Sequence, residues 1–188
     1  MFQIREYRDS DAEVLYNIAL QSFDEYFDPS VFSYFRTQWR SGQLVACDFA
    51  GNPIGFISST RLEGRKLRIM LFGVLPGYRN MGVGKQLLDS LRIKALMEGM
   101  ISITLEVRTS NEDARRFYRR NGFMETDILR QYYRDGGDGV SGAARATARP
   151  VDSKHTKVTT TGVAGCRSRA PNTRSEPKIT HSAKIEAV

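Results

Sequence analysis

Residues 79–85 read Arg79-Asn80-Met81-Gly82-Val83-Gly84-Lys85, a stretch whose residue types suit the capture of an anion. Gly82 and Gly84 remove Cβ atoms where a ligand must come close to the backbone. Amides at the start of a helix have no partner within it, and the helix dipole favours negative charge there. Arg79 and Lys85 add formal positive charge. The bland alternative is a glycine turn opening an ordinary helix. A nucleotide P-loop fits poorly. Gln86 follows Gly84-Lys85 where Ser or Thr is needed, and Arg79 stands where the first glycine belongs. The dinucleotide pattern G-x-G-x-x-G fails at Leu87.

Other reactive types are sparse. His155 and His181 both lie near the C-terminus. Cys47 and Cys166 form no metal-ligand spacing, so neither a metal site nor a disulfide framework is expected, and a reducing compartment is implied. Met1-Phe2-Gln3-Ile4-Arg5 has no long apolar core of a signal peptide. No apolar run approaches the ~20 residues of a membrane helix. A cytoplasmic protein is therefore expected.

The elements that must position the loop follow from periodicity. Phe2–Tyr7 alternates as a short strand. Ser10-Asp11-Ala12-Glu13 has the form of a capping box, with Leu15, Ile18, Ala19 and Ser22 following on one helical face. Pro29 suits the start of a second helix reaching Trp39. Gln43–Phe49 and Ile54–Arg61 read as strands about the turn Ala50-Gly51-Asn52-Pro53. Leu67–Leu75, apolar almost throughout, reads as a strand buried on both faces. A helix from Gly82 to about Met97 carries Val83, Leu87, Leu88, Leu91 and Ala95 on one stripe. Then come a strand at Ile101–Val107, a helix at Asn111–Arg120, and a long last strand at Phe123–Tyr133. The order β-α-α-β-β-β-α-β-α-β is that of a mixed α/β layer fold.

The 188-residue chain suits one domain, and its net charge of +7 fits anionic partners without naming them. All nineteen aromatic residues lie at or before Tyr133. Residues 136–188 hold nine Lys or Arg and four Asp or Glu, and so supply +5 of the +7. From Ser141 onward the chain is rich in Ala, Thr, Ser, Arg and Pro, without apolar periodicity. A domain at 1–140 is expected, followed at 141–188 by a disordered basic tail or a non-native extension. Without interleaved aromatics such a tail binds nucleic acid only non-specifically.

Arg-x-x-Gly-x-Gly between a strand and a helix resembles the coenzyme A signature of the GNAT acetyltransferases. The likeness continues through Leu105-Glu106-Val107-Arg108-Thr109-Ser110-Asn111, Ala114, Tyr118 and Asn121-Gly122-Phe123. Tyr132-Tyr133-Arg134-Asp135-Gly136 resembles the Y-Y-x-D-G element of RimI-type N-terminal acetyltransferases, archaeal relatives included. The resemblance spans roughly residues 1–139. It implies a GNAT fold, with a mostly antiparallel central sheet, one splayed strand pair and flanking helices.

The resemblance also implies roles. Acetyl-coenzyme A is the cosubstrate, with no metal. The backbone of Phe72, Gly73 and Val74 would bind the pantetheine arm. Residues 79–85 (Arg79, Asn80, Met81, Gly82, Val83, Gly84 and Lys85) would cradle the pyrophosphate. Asn111 and Tyr118 would line the thioester end. Glu106 matches a general base and Tyr118 a general acid. Otherwise Glu106 is a structural partner of Arg108 or Arg134, and Tyr118 a core-edge aromatic. Glu25 best fits a glutamate facing the acceptor amine, with Asp24 and Asp28 as competitors. Tyr26, Tyr132 and Tyr133 would bind the substrate backbone. Acceptors would be protein N-termini, ribosomal proteins or nascent chains among them. A small-molecule acetyltransferase acting on a polyamine, amino acid or antibiotic is the first rival, and a non-catalytic RNA-binding protein the second. One departure stands out. The family sheet closes with a further strand after Y-Y-x-D-G, and Gly137-Asp138-Gly139-Val140-Ser141-Gly142 is too glycine-rich and polar to be read as one.

Overall fold

The computed structural model describes residues 2–23 and 28–147. Seven strands form one sheet: β1 (Gln3–Glu6), β2 (Gln43–Cys47), β3 (Pro53–Leu62), β4 (Lys66–Val74), β5 (Ser102–Arg108), β6 (Met124–Leu129) and β7 (Gly139–Arg145). The helices are α1 (Ala12–Leu20), α2 (Ser30–Gln38), α3 (Val83–Met97) and α4 (Glu112–Arg120). The spatial order is β1-β2-β3-β4-β5-β7-β6. Every pairing is antiparallel except β4 with β5.

Two apolar layers cover the sheet, and strand alternation sorts residues between them. In β2, Leu44 and Ala46 pack with Val83, Leu87, Leu88 and Leu91 of α3, whereas Val45 and Cys47 pack with α1 and α2. The α1–α2 layer is built on Leu15, Ile18, Phe32 and Phe35 against Phe56 and Leu71. The opposite layer adds Ala114 and Tyr118 from α4.

In β4 the alternation changes parity. Leu67 and Ile69 face α3, and so do Phe72 and Val74, while Leu71 faces α1 and α2. The cause is a bulge. Ser58 pairs with Leu71 and Ser59 with Ile69, which leaves Met70 as an extra residue. An extra residue bends and twists its strand. The parallel pairing of β4 with β5 covers only Lys66–Arg68 against Ser102–Thr104, and the bulge follows immediately. Beyond it the two strands separate.

Three sequence expectations are corrected. Ser10 and Glu13 do not cap α1. A 3-10 turn over Asp9–Asp11 precedes it, and the Asp11 carboxylate accepts from the Arg8 amide (2.7 Å) and the Arg5 guanidinium (2.7 and 2.8 Å). The strand after Phe123 ends at Leu129 rather than Tyr133. Gln131 takes a φ of +48°, and the Asp138 carboxylate accepts from its amide at 2.9 Å, so the chain turns there.

The third correction concerns residues 139–145, which do form the closing strand, so the sheet runs past the expected boundary at 140. β7 lies inside the sheet, paired with β5 on one side and β6 on the other. Its glycines fit large neighbours. A Cβ at Gly139 would stand 3.1 Å from the Tyr132 ring, and one at Gly142 3.3 Å from Leu105. Val140, Ala144 and Ala146 fill the core on alternate positions. The expected tail from residue 148 onward lies outside the described residues.

Candidate active site

The separation of β4 from β5 leaves a wedge. Past Arg68, β4 bonds only to β3, and β5 is paired along its length with β7. Phe72, Gly73 and Val74 therefore present one backbone edge to the opening. Gly73 is also fixed by packing, because a Cβ there would lie 3.2 Å from both Phe56 and the Ser22 hydroxyl.

α3 starts at the same end of the wedge. Asn80 (φ +60°) and Gly82 (φ +86°) are left-handed, and Gly82 precedes the first helical turn without a capping side chain. The amides of Val83, Gly84 and Lys85 thus begin a helix beside a solvent-exposed loop, where helix-start amides have no partner within the helix. A Cβ on Gly82 would meet nothing within 4 Å. The glycine suits the left-handed backbone turn, and the space beside it is open. The charges also have local work. The Arg79 Nε donates to the Val74 carbonyl (3.0 Å), tying the loop to the end of β4. Lys85 pairs with Asp89 (2.6 Å), and Met81 is exposed.

Tyr118 closes the wedge from the α3–α4 face. The Asn111 side chain caps α4 by accepting from the Ala114 amide (3.0 Å), which sets the helix from which Tyr118 projects. The ring packs against Phe72, Phe117 and Phe123, with centroids 5.3–6.4 Å apart. It is 3% exposed, and its hydroxyl has no hydrogen-bond partner among the described residues. Burial, with the Tyr133 phenol adding to it, holds that hydroxyl well above its ordinary pKa.

Glu106 lies on the opposite face. Along β5, Ile103, Leu105 and Val107 are buried in the α3 layer, and Thr104, Glu106 and Arg108 alternate away from it. The carboxylate pairs with neither Arg108 nor Arg134. Its Oε2 accepts from the Arg68 Nε at 2.7 Å, with Nη2 also 2.7 Å away. The Arg68 Nη2 donates in turn to the Tyr132 hydroxyl (2.8 Å). Burial and the Glu106 charge raise the Tyr132 pKa above its ordinary value, and Arg68 opposes them in part. Tyr133 stacks edge-on to Tyr132 (5.4 Å) and lies under the Arg108 guanidinium (3.9 Å). Arg108 also holds Asp135 (2.8 Å) and packs tightly against Gly137.

The fold thus gathers Glu106, Tyr118, Tyr132 and Tyr133 around one wedge, with residues 79–85 at its far end. Glu25 and Tyr26, with Asp24, lie outside the described residues. Asp28, a competitor of Glu25, accepts from the Ser30 amide (2.8 Å) at the start of α2. Sequence reasoning missed Arg68 and the anchoring work of Arg108. Arg68 had a signal, being the one charge within the apolar run Leu67–Leu75. Among the described residues no group of three or more His, Cys, Asp or Glu is placed to hold a metal ion.

Known proteins are similar to this chain in sequence and fold. An N-alpha-acetyltransferase of Sulfurisphaera tokodaii is 29% identical over 157 residues, covering 76% of this chain and 92% of its own. The ribosomal protein bS18-alanine N-acetyltransferase of Haemophilus influenzae is 40% identical over 81 residues, covering 43% of this chain and 53% of its own. The crystal structure of Ard1 from Thermoplasma volcanium superposes with a TM-score of 0.73 at 34% identity, covering 77% of this chain and 97% of that one. The model of the acetyltransferase (GNAT) family matches residues 12–123. With that match laid over the wedge, the α3 loop and α4, the chain belongs to the GNAT family of acetyltransferases.

Proposed function

We propose that this acetyltransferase transfers the acetyl group of acetyl-coenzyme A to the N-terminal α-amine of proteins. The observation that carries this reading is the wedge, with helix amides at one end and a candidate base and acid on opposite faces at the other. Acetyl-coenzyme A supplies a thioester whose carbonyl carbon the amine attacks. The amides of Val83, Gly84 and Lys85, with Asn80 and Met81 beside them, hold the pyrophosphate. The open edge at Phe72–Val74 holds the pantetheine arm. Arg79 acts indirectly by fixing the loop to β4.

The reaction needs a neutral amine, and a peptide α-amine, with a pKa of ~7.7–8.0, is partly neutral at physiological pH. Glu106 takes the proton the amine loses, directly or through one water. When the carbon–sulfur bond breaks, the Tyr118 hydroxyl gives its proton or a hydrogen bond to the leaving thiolate. A phenol kept protonated by burial suits that task. No covalent enzyme intermediate is needed, because holding two substrates in register supplies much of the acceleration. Tyr132, half-buried, is the proposed contact for the acceptor peptide, and Tyr133 (2% exposed) backs it by edge-on packing. Glu25 and Tyr26 are further proposed contacts, and Asn111 supports the thioester end through α4.

Ribosomal proteins or nascent chains in the cytoplasm are the proposed acceptors, an idea supported by the ribosomal-protein activity named for the Haemophilus relative. The test is mass spectrometry of a peptide panel and a polyamine, each incubated with acetyl-coenzyme A. One acetyl group on peptide N-termini is expected. Acetylation of the polyamine alone would replace this reading with a small-molecule one. No transfer, with salt-sensitive RNA retention, would favour a non-catalytic protein.

A further inference from the structure

Arg68 is out of place by the logic of its strand. Leu67 and Ile69 on either side are 0% and 1% exposed and belong to the apolar core. The Arg68 side chain is 20% exposed and that of Glu106 16%, so both charges give up much of their hydration. Such a cost is met only by close pairing. Arg68 is also the last residue of β4 paired with β5 before the wedge opens.

From that position its guanidinium reaches two other elements. Nε and Nη2 both contact the single oxygen Oε2 of Glu106, and Nη2 also meets the Tyr132 hydroxyl. Oε1 of Glu106 makes no bond to a described residue. One carboxylate oxygen is anchored and the other is left for chemistry. We propose that Arg68 is a positioning residue for the acceptor half of the reaction, locking Glu106 and Tyr132 into one unit where the wedge begins to open. This rests on the reading of Glu106 as the base. The competing role is a stitch that merely limits how far β4 and β5 part. A stitch would affect cofactor binding, stability and turnover together.

The test compares the wild-type chain with Arg68→Met, Arg68→Lys, Tyr132→Phe and the Arg68→Met/Tyr132→Phe pair. Kinetics use whichever amine the wild type acetylates. Arg68→Met is expected to lower kcat by about tenfold or more, with the Kd for acetyl-coenzyme A, read by calorimetry, within about twofold of wild type. Arg68→Lys keeps the charge but not the two-point contact, and should recover kcat only in part. The double variant should lose less than the product of the two single losses. A second readout needs no turnover: the ionisation of ¹³C-labelled Tyr132, assigned with Tyr132→Phe, should move to higher pH in Arg68→Met, because Arg68 opposes the upward shift there.

An unchanged kcat overturns the proposal. So does a parallel fall in kcat, cofactor affinity and melting temperature, or a Tyr132 titration that does not move. Acetylation of a polyamine in place of N-termini would sink the proposed acceptor while leaving these comparisons decisive for Arg68. Turnover of no amine at all would sink both.

Discussion

A buried hydroxyl without a partner costs on the order of 1–3 kcal/mol, and Tyr118 carries one in an otherwise aromatic setting. A purely structural site would favour phenylalanine there. Tyr118→Phe is therefore expected to leave the melting temperature unchanged or raise it. Its turnover should fall by about 100-fold, with cofactor affinity nearly unaffected. Full turnover in the variant would return Tyr118 to a packing role. Glu106→Gln should lower turnover by a similar factor, but it also leaves Arg68 without its charged partner and should lower stability. Comparing kcat with thermal denaturation separates the two effects. Glu106 and Tyr118 stood out in the sequence by their place in an ordered motif. Arg68 showed only as a charge in an apolar run, and its partners were hidden because they are 38 and 64 residues away.

Two irregular elements shape the site. The Met70 bulge moves Phe72 and Val74 onto the α3 face and lets β4 leave β5. The left-handed Gly82 turns the chain into α3. Gly82→Ala has open space for its methyl group within the fold, so its cost to stability is conformational, about 1–2 kcal/mol. The expected outcome in binding and steady-state assays is an acetyl-coenzyme A Kd raised about fivefold or more, with the KM for the acceptor peptide unchanged. A rise in peptide KM alone would separate this loop from the cofactor. The helix was legible from its stripe of Val83, Leu87, Leu88, Leu91 and Ala95. The bulge was not, because it is defined by the register of β3 against β4 and no residue type announces it.

At the scale of the molecule, the sheet is held at both ends. Near β1, Asp11 is buried under Arg5 and the Arg8 amide. Burial pushes its pKa up, but those bonds outweigh it and the net shift is downward. A carboxylate with a depressed folded pKa stabilises the fold above its unfolded value of ~3.9 and loses that contribution as the pH falls through the folded value. Asp11→Asn should thus destabilise at pH 7, and the gap to wild type should close in strong acid, as followed by urea denaturation across pH. At the other end β7 fills the space between β5 and β6. Truncation after Thr147 should preserve the melting temperature and acetyl transfer. Truncation after Asp138 removes an interior strand and should abolish cooperative unfolding. We propose that residues beyond 147 act only as a basic appendage. Their removal should abolish low-salt retention on RNA and leave kcat unchanged.

The sequence by itself determined the mixed α/β order up to the strand after Phe123 and the glycine-marked start of α3, because these depend on local periodicity and on glycine positions. It also ranked Glu106 and Tyr118 through the resemblance their motif carries. Only the tertiary structure decided that Glu106 pairs with Arg68, that the Tyr118 hydroxyl is buried without a partner among the described residues, and that Gly139–Arg145 is a strand. Each of these depends on neighbours distant in the chain. A glycine-rich segment becomes an interior strand when Leu105 and Tyr132 occupy the space its side chains would need. Arg68 meets Glu106 and Tyr132 because the bulge parts the sheet just beyond it.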